Sequence, residues 1–595
     1  MLDPGARYPS GKGEVCKTFM RRFDPDPRLQ LSSPWTLRDW LAATGLFLAT
    51  AGFVLWQNAR VAVTWDLSYL LDSCQRLALG QVPYRDFPFV HPPLTFLLQA
   101  AILRLTGHVY FHHIVYAAFA GGVATVLTWR ITLGTVHNRT ISLLLAAPLT
   151  VLGIYSIYPH PIYDCDCILF VLVALLLLQR LEASGHPSLI VAAITGGALV
   201  LPLFFKQNIG LPFLLTSLAA ITLLLVLPSS EHATQPRRAA LVAVVCGALT
   251  TLLAAALLLH CTVGLHNYLY WTIDFAAQRR LPAAAEMLSV YAEPALRWQL
   301  PAVAVALILL WRTTKSWTRW LAFTLLAAPF LWTLLLLLLH TDADDRADDL
   351  LALWPLLLLL AAALAVFSLV RALWRRTLTL HTLLPIILLA TILGTMLSQQ
   401  LWGSTYAIWP LLVLLLASMA ARLSDLEAPR VPALAAIVST TLLLCGALYA
   451  ASLERLSYAH VDDGPIQRST TPALRGMVTR GPYLPAFDQL LRFAAAEIPP
   501  NDGLLLLPGE DPFYYATGRT PRFPVLLFDN TTDPYSPAET AALVRTSNIR
   551  WLIVKRELQL KADPMPQRAA TLQLLAQQFT LYRRLDNYDV YRRDP

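Results

Sequence analysis

A chain of 595 residues that is 56% hydrophobic and 14% charged is too apolar for a water-soluble globular protein and belongs in a bilayer. Its net charge of +8 comes without a basic stripe interleaved with aromatics, so nucleic acid is excluded as a partner and the basic residues are assigned to the flanks of membrane spans. The seven cysteines are scattered, four of them (Cys167, Cys246, Cys261, Cys445) in apolar runs, and Cys165-Asp166-Cys167 sets two thiols too close for a zinc pair.

Residues 1–38 are polar and basic, lack the apolar core of a cleaved signal, and read as a cytoplasmic tail. A membrane module, 39–455, follows. Its apolar stretches are 40–57, 113–133, 141–158, 167–181, 189–205, 211–227 and 239–263, then 300–311, 320–340, 350–370, 383–397, 406–421 and 431–453. At roughly 20 residues per crossing these predict about 13 spans. An odd number sets the two ends on opposite faces. Alternate loops carry Arg139, Arg180, Arg237-Arg238, Arg312-Lys315-Arg319, Arg371-Arg375-Arg376 and Arg422-Arg430, and the tail carries Arg21-Arg22. These are the inside loops, because short cytoplasmic loops hold the excess of Lys and Arg. Loop 341–349, with five aspartates against one arginine, suits the outer face. Segment 456–595 is then an extracytoplasmic α/β domain. Its predicted strands are 504–507, 524–528 and 550–554, with a hairpin 580–585 and 589–592 turning at Asp586-Asn587. Ser536-Pro537-Ala538-Glu539 opens a helix as a capping box, and another helix covers 567–579. The domain reads most simply as a passive cap, the other reading being a binding module.

The first external loop, 60–112, is long for a connection. After Thr64-Trp65-Asp66, the residues Leu67, Leu70, Leu71, Cys74, Leu77 and Ala78 recur at helical spacing opposite Ser68, Asp72, Gln75 and Arg76. This predicts an amphipathic helix on the outer surface, stopped at Gly80, with Asp66 at its N-terminus. A charged, proline-rich turn through Tyr84, Arg85, Asp86 and His91-Pro92-Pro93 leads to a second apolar run, 96–105.

Asp66-Leu67-Ser68-Tyr69, Gly80-Gln81-Val82-Pro83-Tyr84-Arg85-Asp86-Phe87 and His91-Pro92-Pro93-Leu94 resemble, in order and spacing, the first loop of a known family. It comprises the polytopic glycosyltransferases of the C-type (GT-C) fold that use polyprenyl-phosphate sugars, among them protein mannosyltransferases and the aminoarabinose transferase of lipid A. Tyr163-Asp164-Cys165-Asp166 resembles the acidic start of that family's fourth span, and Phe205-Lys206-Gln207-Asn208 its lysine-containing turn. The resemblance implies a hexosyl- or pentosyltransferase of the inner membrane that moves sugar from a polyprenyl-phosphate donor to a lipid, glycan or protein acceptor on the outer face.

Such a reaction needs a base for the acceptor hydroxyl and cations for the departing phosphate. Asp66 is then the general base of an inverting displacement, or a helix N-cap, or both. Asp166 is preferred over Asp164 for positioning substrate or metal, against capping the span. Lys206 binds phosphate or anchors at the interface. Arg85 shares the phosphate or pairs with Asp86. Where some family members carry an acidic-Lys pair, this chain has Val90-His91. His91 suits phosphate less well but, with His266, offers a divalent metal site; otherwise His266 is interfacial. No cofactor is otherwise implied. Arg279 and Arg280, in an aromatic-rich loop, wall the donor site or snorkel in an interfacial belt. A lipid-linked-sugar transporter or flippase is the rival from another class; it calls for inverted repeats and mid-span charges, which the sequence lacks. An O-antigen ligase or polymerase does not call for this first-loop pattern.

Overall fold

The computed structural model describes residues 35–184, 186–227, 235–312, 315–340, 342–397, 401–425, 430–453 and 456–593. Most of the expected cytoplasmic tail, with Arg21 and Arg22, lies outside them. Each of the thirteen apolar stretches carries a helix. Among the described residues eight helices are long and apolar enough to cross a bilayer, or nine if the pair Ala284–Ala292 and Leu296–Arg312, bent by 64°, is one span. Leu94–Thr106, Arg139–Leu152, Leu189–Phe204 and Leu380–Thr395 are apolar but shorter. At about 1.5 Å per residue none of these four reaches across roughly 30 Å of hydrocarbon unaided. Tyr163–Ala183 has the length, 21 residues, but holds Asp164, Asp166, Arg180 and Glu182. Thirteen full crossings therefore overstates what the helices supply.

Apolar residues all round a helix direct it to the middle of a bundle. Leu401–Asp425 obeys this rule: residues 406–418 are all buried, and the helix packs on Tyr110–Val136, Tyr163–Ala183 and Leu380–Thr395. Polar contacts pin the bundle at both ends. Thr36 and Asp39 form a capping box on Leu37–Asn58, and Arg139 reaches the same Asp39 at 3.0 Å. At the other end Asn58 donates to the carbonyl of Pro159 at 2.5 Å, and Gln57 to that of Ala450 at 2.7 Å.

Beyond Val431–Ser452 the chain builds an α/β unit. A short ribbon pairs β1 (Ile466–Arg468) antiparallel with β2 (Val478–Arg480). The main sheet has the order β3-β4-β6-β5, from β3 (Gly503–Leu507), β4 (Ile549–Lys555), β5 (Thr580–Arg584) and β6 (Tyr588–Arg592). Strands β3 and β4 are parallel, the other pairs antiparallel. The Ser536–Glu539 capping box forms as expected, and the later helix covers Arg568–Ala576. Segment 524–528 is not a strand. The carbonyls of Phe523 and Pro524 are taken by Arg76, and the Phe528 N–H by Pro508, so no ladder is left to make.

Candidate active site

The predicted amphipathic helix is Thr64–Ala78, but its polar face does not meet water. Ser68, Asp72, Gln75 and Arg76 are all buried, because the α/β unit sits on them. Ser68 donates to the Gly509 carbonyl at 2.6 Å, Asp72 accepts the Tyr515 N–H at 2.7 Å, and Arg76 donates to Pro524 at 2.7 Å. Burial raises the Asp72 carboxyl from 3.8 to about 8 and lowers the Arg76 guanidinium to about 10.

Fully buried Gln559 ties the start of this helix to the domain. Its Oε1 accepts from the Thr64 N–H (2.7 Å) and hydroxyl (2.9 Å), and its Nε2 donates to Ala62 (2.9 Å). Gln559 is itself held by Glu510, which accepts the N–H groups of Gln559 and Leu560 and pairs with Lys555 at 2.6 Å. Lys555 also meets Asp511 at 2.8 Å, inside the same buried cluster. The domain covers the loop and clasps it through these contacts.

Asp66 stands in the first turn of Thr64–Ala78, where a carboxylate is favoured by the helix dipole. It is not the N-cap: that position is Val63, which makes no side-chain cap. The half-buried Asp66 carboxylate instead accepts a hydrogen bond from the Tyr458 phenol of the α/β unit and another from the Tyr158 phenol of the membrane module.

From Tyr158 the site continues inward. The Tyr158 ring lies 5.6 Å from that of Tyr406, whose hydroxyl donates to Asp164 at 3.2 Å. Asp164 pairs with Lys206 at 3.6 Å, both side chains 5% exposed. The Lys206 ammonium also lies 4.0 Å from the centre of the Tyr163 ring, on which His91 stacks at 4.1 Å. Lys206 is therefore neither a snorkelling anchor nor an uncompensated cation. It is the partner of Asp164.

The preference for Asp166 over Asp164 is corrected by the same geometry. Asp166 is 0% exposed and accepts from the hydroxyls of Thr95 (2.7 Å), Tyr116 (2.5 Å) and Tyr155 (2.5 Å). These donors saturate it as a structural junction of the loop and two helices. Arg85 takes the plainer of its two roles, an exposed pair with Asp86 at 2.8 Å, while Asp86 also accepts the Val82 N–H. Arg279 donates to the carbonyls of Asn530 (2.7 Å) and Asp533 (3.1 Å), a further tether to the domain. Arg280 ends the helix Ala276–Arg280, and its side chain lies outside the described residues. The His91 ring is buried against Tyr163, whereas His266 is exposed. Among the described residues no three His, Cys, Asp or Glu side chains gather as metal ligands.

Tyr158, Tyr406, Tyr458 and Gln559 were not singled out by the sequence. They come from four separate segments and share no spacing; only Tyr163 sat inside a recognised motif.

No family model and no curated protein matches the sequence. Solved structures with a similar course of the chain include ArnT from Cupriavidus metallidurans bound to undecaprenyl phosphate, at TM-score 0.44 and 10% identity over 93% of this chain and 98% of that one. The Archaeoglobus fulgidus oligosaccharyltransferase AglB, in complex with an inhibitory peptide and a dolichol-phosphate, gives TM-score 0.44 and 11% identity over 88% and 70%. With both scores below one-half, the chemistry below rests on this chain's own residues.

Proposed function

We propose that this protein is a glycosyltransferase of the C-type fold that moves a hexosyl or pentosyl group from a polyprenyl phosphate to a lipid, glycan or protein acceptor, with inversion. The supporting observation is a single half-buried carboxylate, Asp66, fixed by two phenols and linked through Tyr158 and Tyr406 to the Asp164–Lys206 pair. Asp66 takes the acceptor hydroxyl proton as the oxygen bonds the anomeric carbon. The bond from that carbon to the phosphate oxygen breaks, and its electron pair leaves with the polyprenyl phosphate. One base and one displacement invert the centre, unlike the two-carboxylate arrangement of retaining hydrolases. The departing phosphate competes with Asp164 for Lys206, whose charge is otherwise compensated. The arginine pattern of the loops supports an inner-membrane placement, with Asp66 and the α/β domain on the outer face.

The test uses the full chain in lipid nanodiscs, a panel of radiolabelled polyprenyl-phosphate hexoses and pentoses, and membrane extract as acceptor. Label should pass from one donor to acceptor with inverted configuration. Movement of intact donor across the bilayer in proteoliposomes, with the sugar–phosphate bond unbroken, contradicts the proposal and makes the protein a transporter.

A further inference from the structure

At the end of the bundle remote from Asp66, a cavity of about 270 Å³ opens between Tyr110–Val136, Tyr163–Ala183 and Leu380–Thr395. Its lining residue Glu182 stands eighteen positions beyond Asp164 on one helix, which at 1.5 Å per residue sets the two about 27 Å apart. The cavity is thus separate from the site described above. Leu175, Leu178, Leu384 and Ile387 make an apolar wall, and His137, Gln179, Glu182, Arg237 and His381 a polar rim.

The rim has a built shape. The Gln179 amide lies over Gly134, where a Cβ would come within 2.5 Å of it and displace it. Gln179 is pinned by donating to the Ile131 carbonyl at 3.1 Å, which leaves its own Oε1 buried with no hydrogen-bond partner. A buried acceptor of this kind calls for a donor. Glu182 Oε1 accepts the N–H of Leu380, the first residue of the next helix, at 2.9 Å. Arg237 donates to the Glu182 backbone carbonyl at 2.7 Å and makes no carboxylate contact among the described residues. Arg139, Arg180 and Arg238 stand within two positions of the lining residues His137, Gln179 and Arg237. Asp39, the carboxylate that Arg139 reaches, also takes the Thr36 N–H. With Arg180, Arg237 and Arg238 against the one lining carboxylate, Glu182, the described part of the rim carries a net positive charge beside an apolar slot at the end of the bundle where the arginine-rich loops lie.

We propose that this cavity binds an anionic glycerophospholipid of the bilayer. One acyl chain lies along Leu175, Leu178, Leu384 and Ile387. The phosphate meets Arg237, and a headgroup hydroxyl donates to Gln179 Oε1. A choline headgroup has no hydroxyl and carries a compensating cation, so the same rim discriminates against it.

The experiment is native mass spectrometry of the full chain, stripped of lipid in detergent. It is titrated separately with phosphatidylglycerol, phosphatidylcholine and a polyprenyl phosphate. A saturable one-to-one adduct with phosphatidylglycerol is expected, at least about tenfold tighter than with phosphatidylcholine. Arg237→Gln, at a half-exposed position, should bring that ratio near one, and Leu384→Trp, which fills the slot, should remove the adduct. If Leu384→Trp does not fold, the Arg237→Gln ratio decides alone. Equal binding of the two glycerophospholipids by the unaltered protein overturns the proposal, as does an unchanged ratio in Arg237→Gln. Tighter binding of the polyprenyl phosphate than of phosphatidylglycerol overturns the assignment to a glycerophospholipid.

Discussion

Asp66 and Asp166 are both aspartates in the first turn of a helix, and both take hydrogen bonds from two tyrosines. They differ in everything that matters to proton transfer. Asp166 is sealed, with a threonine as third donor and all its neighbours within the membrane module. Asp66 is half-buried, and one of its phenols, Tyr458, comes from the α/β domain. A carboxylate saturated by hydroxyls holds a fold together. A partly open one, held at an angle by a second domain, can receive a proton from something that arrives.

Several substitutions break or sharpen this contrast. The largest effect on stability is expected from Lys206→Met, which leaves Asp164 buried without its cation. Breaking such a pair from one side costs about 3–5 kcal/mol, to be read as a fall in thermal midpoint in detergent. Asp166→Asn should cost less, about 1–3 kcal/mol, because the amide oxygen can keep the Tyr116 and Tyr155 hydroxyls while the NH2 can no longer accept from Thr95. The thermal midpoint measures this too, and an unchanged midpoint would sink the structural role.

Gln559→Leu removes the bridge to Ala62 and Thr64, and by a similar argument costs about 1–3 kcal/mol. The loss should be local: hydrogen exchange should quicken across Thr64–Ala78 and leave the Leu401–Asp425 helix unaltered.

Domain docking should also depend on pH through Asp72. Its folded-state value, about 8, lies above the ordinary 3.8, so the docked form holds a proton that the undocked form releases. The contribution is fully present below about pH 4 and is lost as pH rises toward 8. Proteolysis at the Tyr514–Tyr515 segment should accelerate over that window, and Asp72→Asn should flatten the dependence. The smallest effect is that of Tyr458→Phe. Removing one of the two donors to the Asp66 carboxylate should lower the sugar-transfer rate a few-fold, measured in the same nanodiscs.

Much of this was legible in the sequence because it depends on local pattern. Apolar runs located the helices, Ser536-Glu539 located a cap, and β-rich runs located β3, β4 and the final hairpin. Asp66 was legible too, as a carboxylate opening an amphipathic helix. The pattern could not say what covers the polar face of that helix. Amphipathicity separates lipid from everything else but does not tell water from a docked domain, so Ser68, Asp72 and Arg76 read as solvated when they are buried. Nor could it choose between Asp164 and Asp166. Two residues apart on a helix they point roughly 200° from one another, and only the packing of Lys206 and Tyr406 against one side, and of Tyr116 and Tyr155 against the other, tells which is which. The tether made by Arg279 was out of reach of local pattern too, because its acceptors, the carbonyls of Asn530 and Asp533, lie some 250 residues away.

The most direct test of the central claim is the sugar-transfer rate per folded molecule for Asp66→Asn and Asp166→Asn, measured side by side in the same nanodiscs. The account predicts a loss of about 10²–10⁴-fold for Asp66→Asn, the usual worth of a general base, with a fall in thermal midpoint no larger than that of Asp166→Asn, and a rate within a few-fold of the unaltered protein for Asp166→Asn. Near-normal transfer by Asp66→Asn, or an equal loss in both, would contradict it.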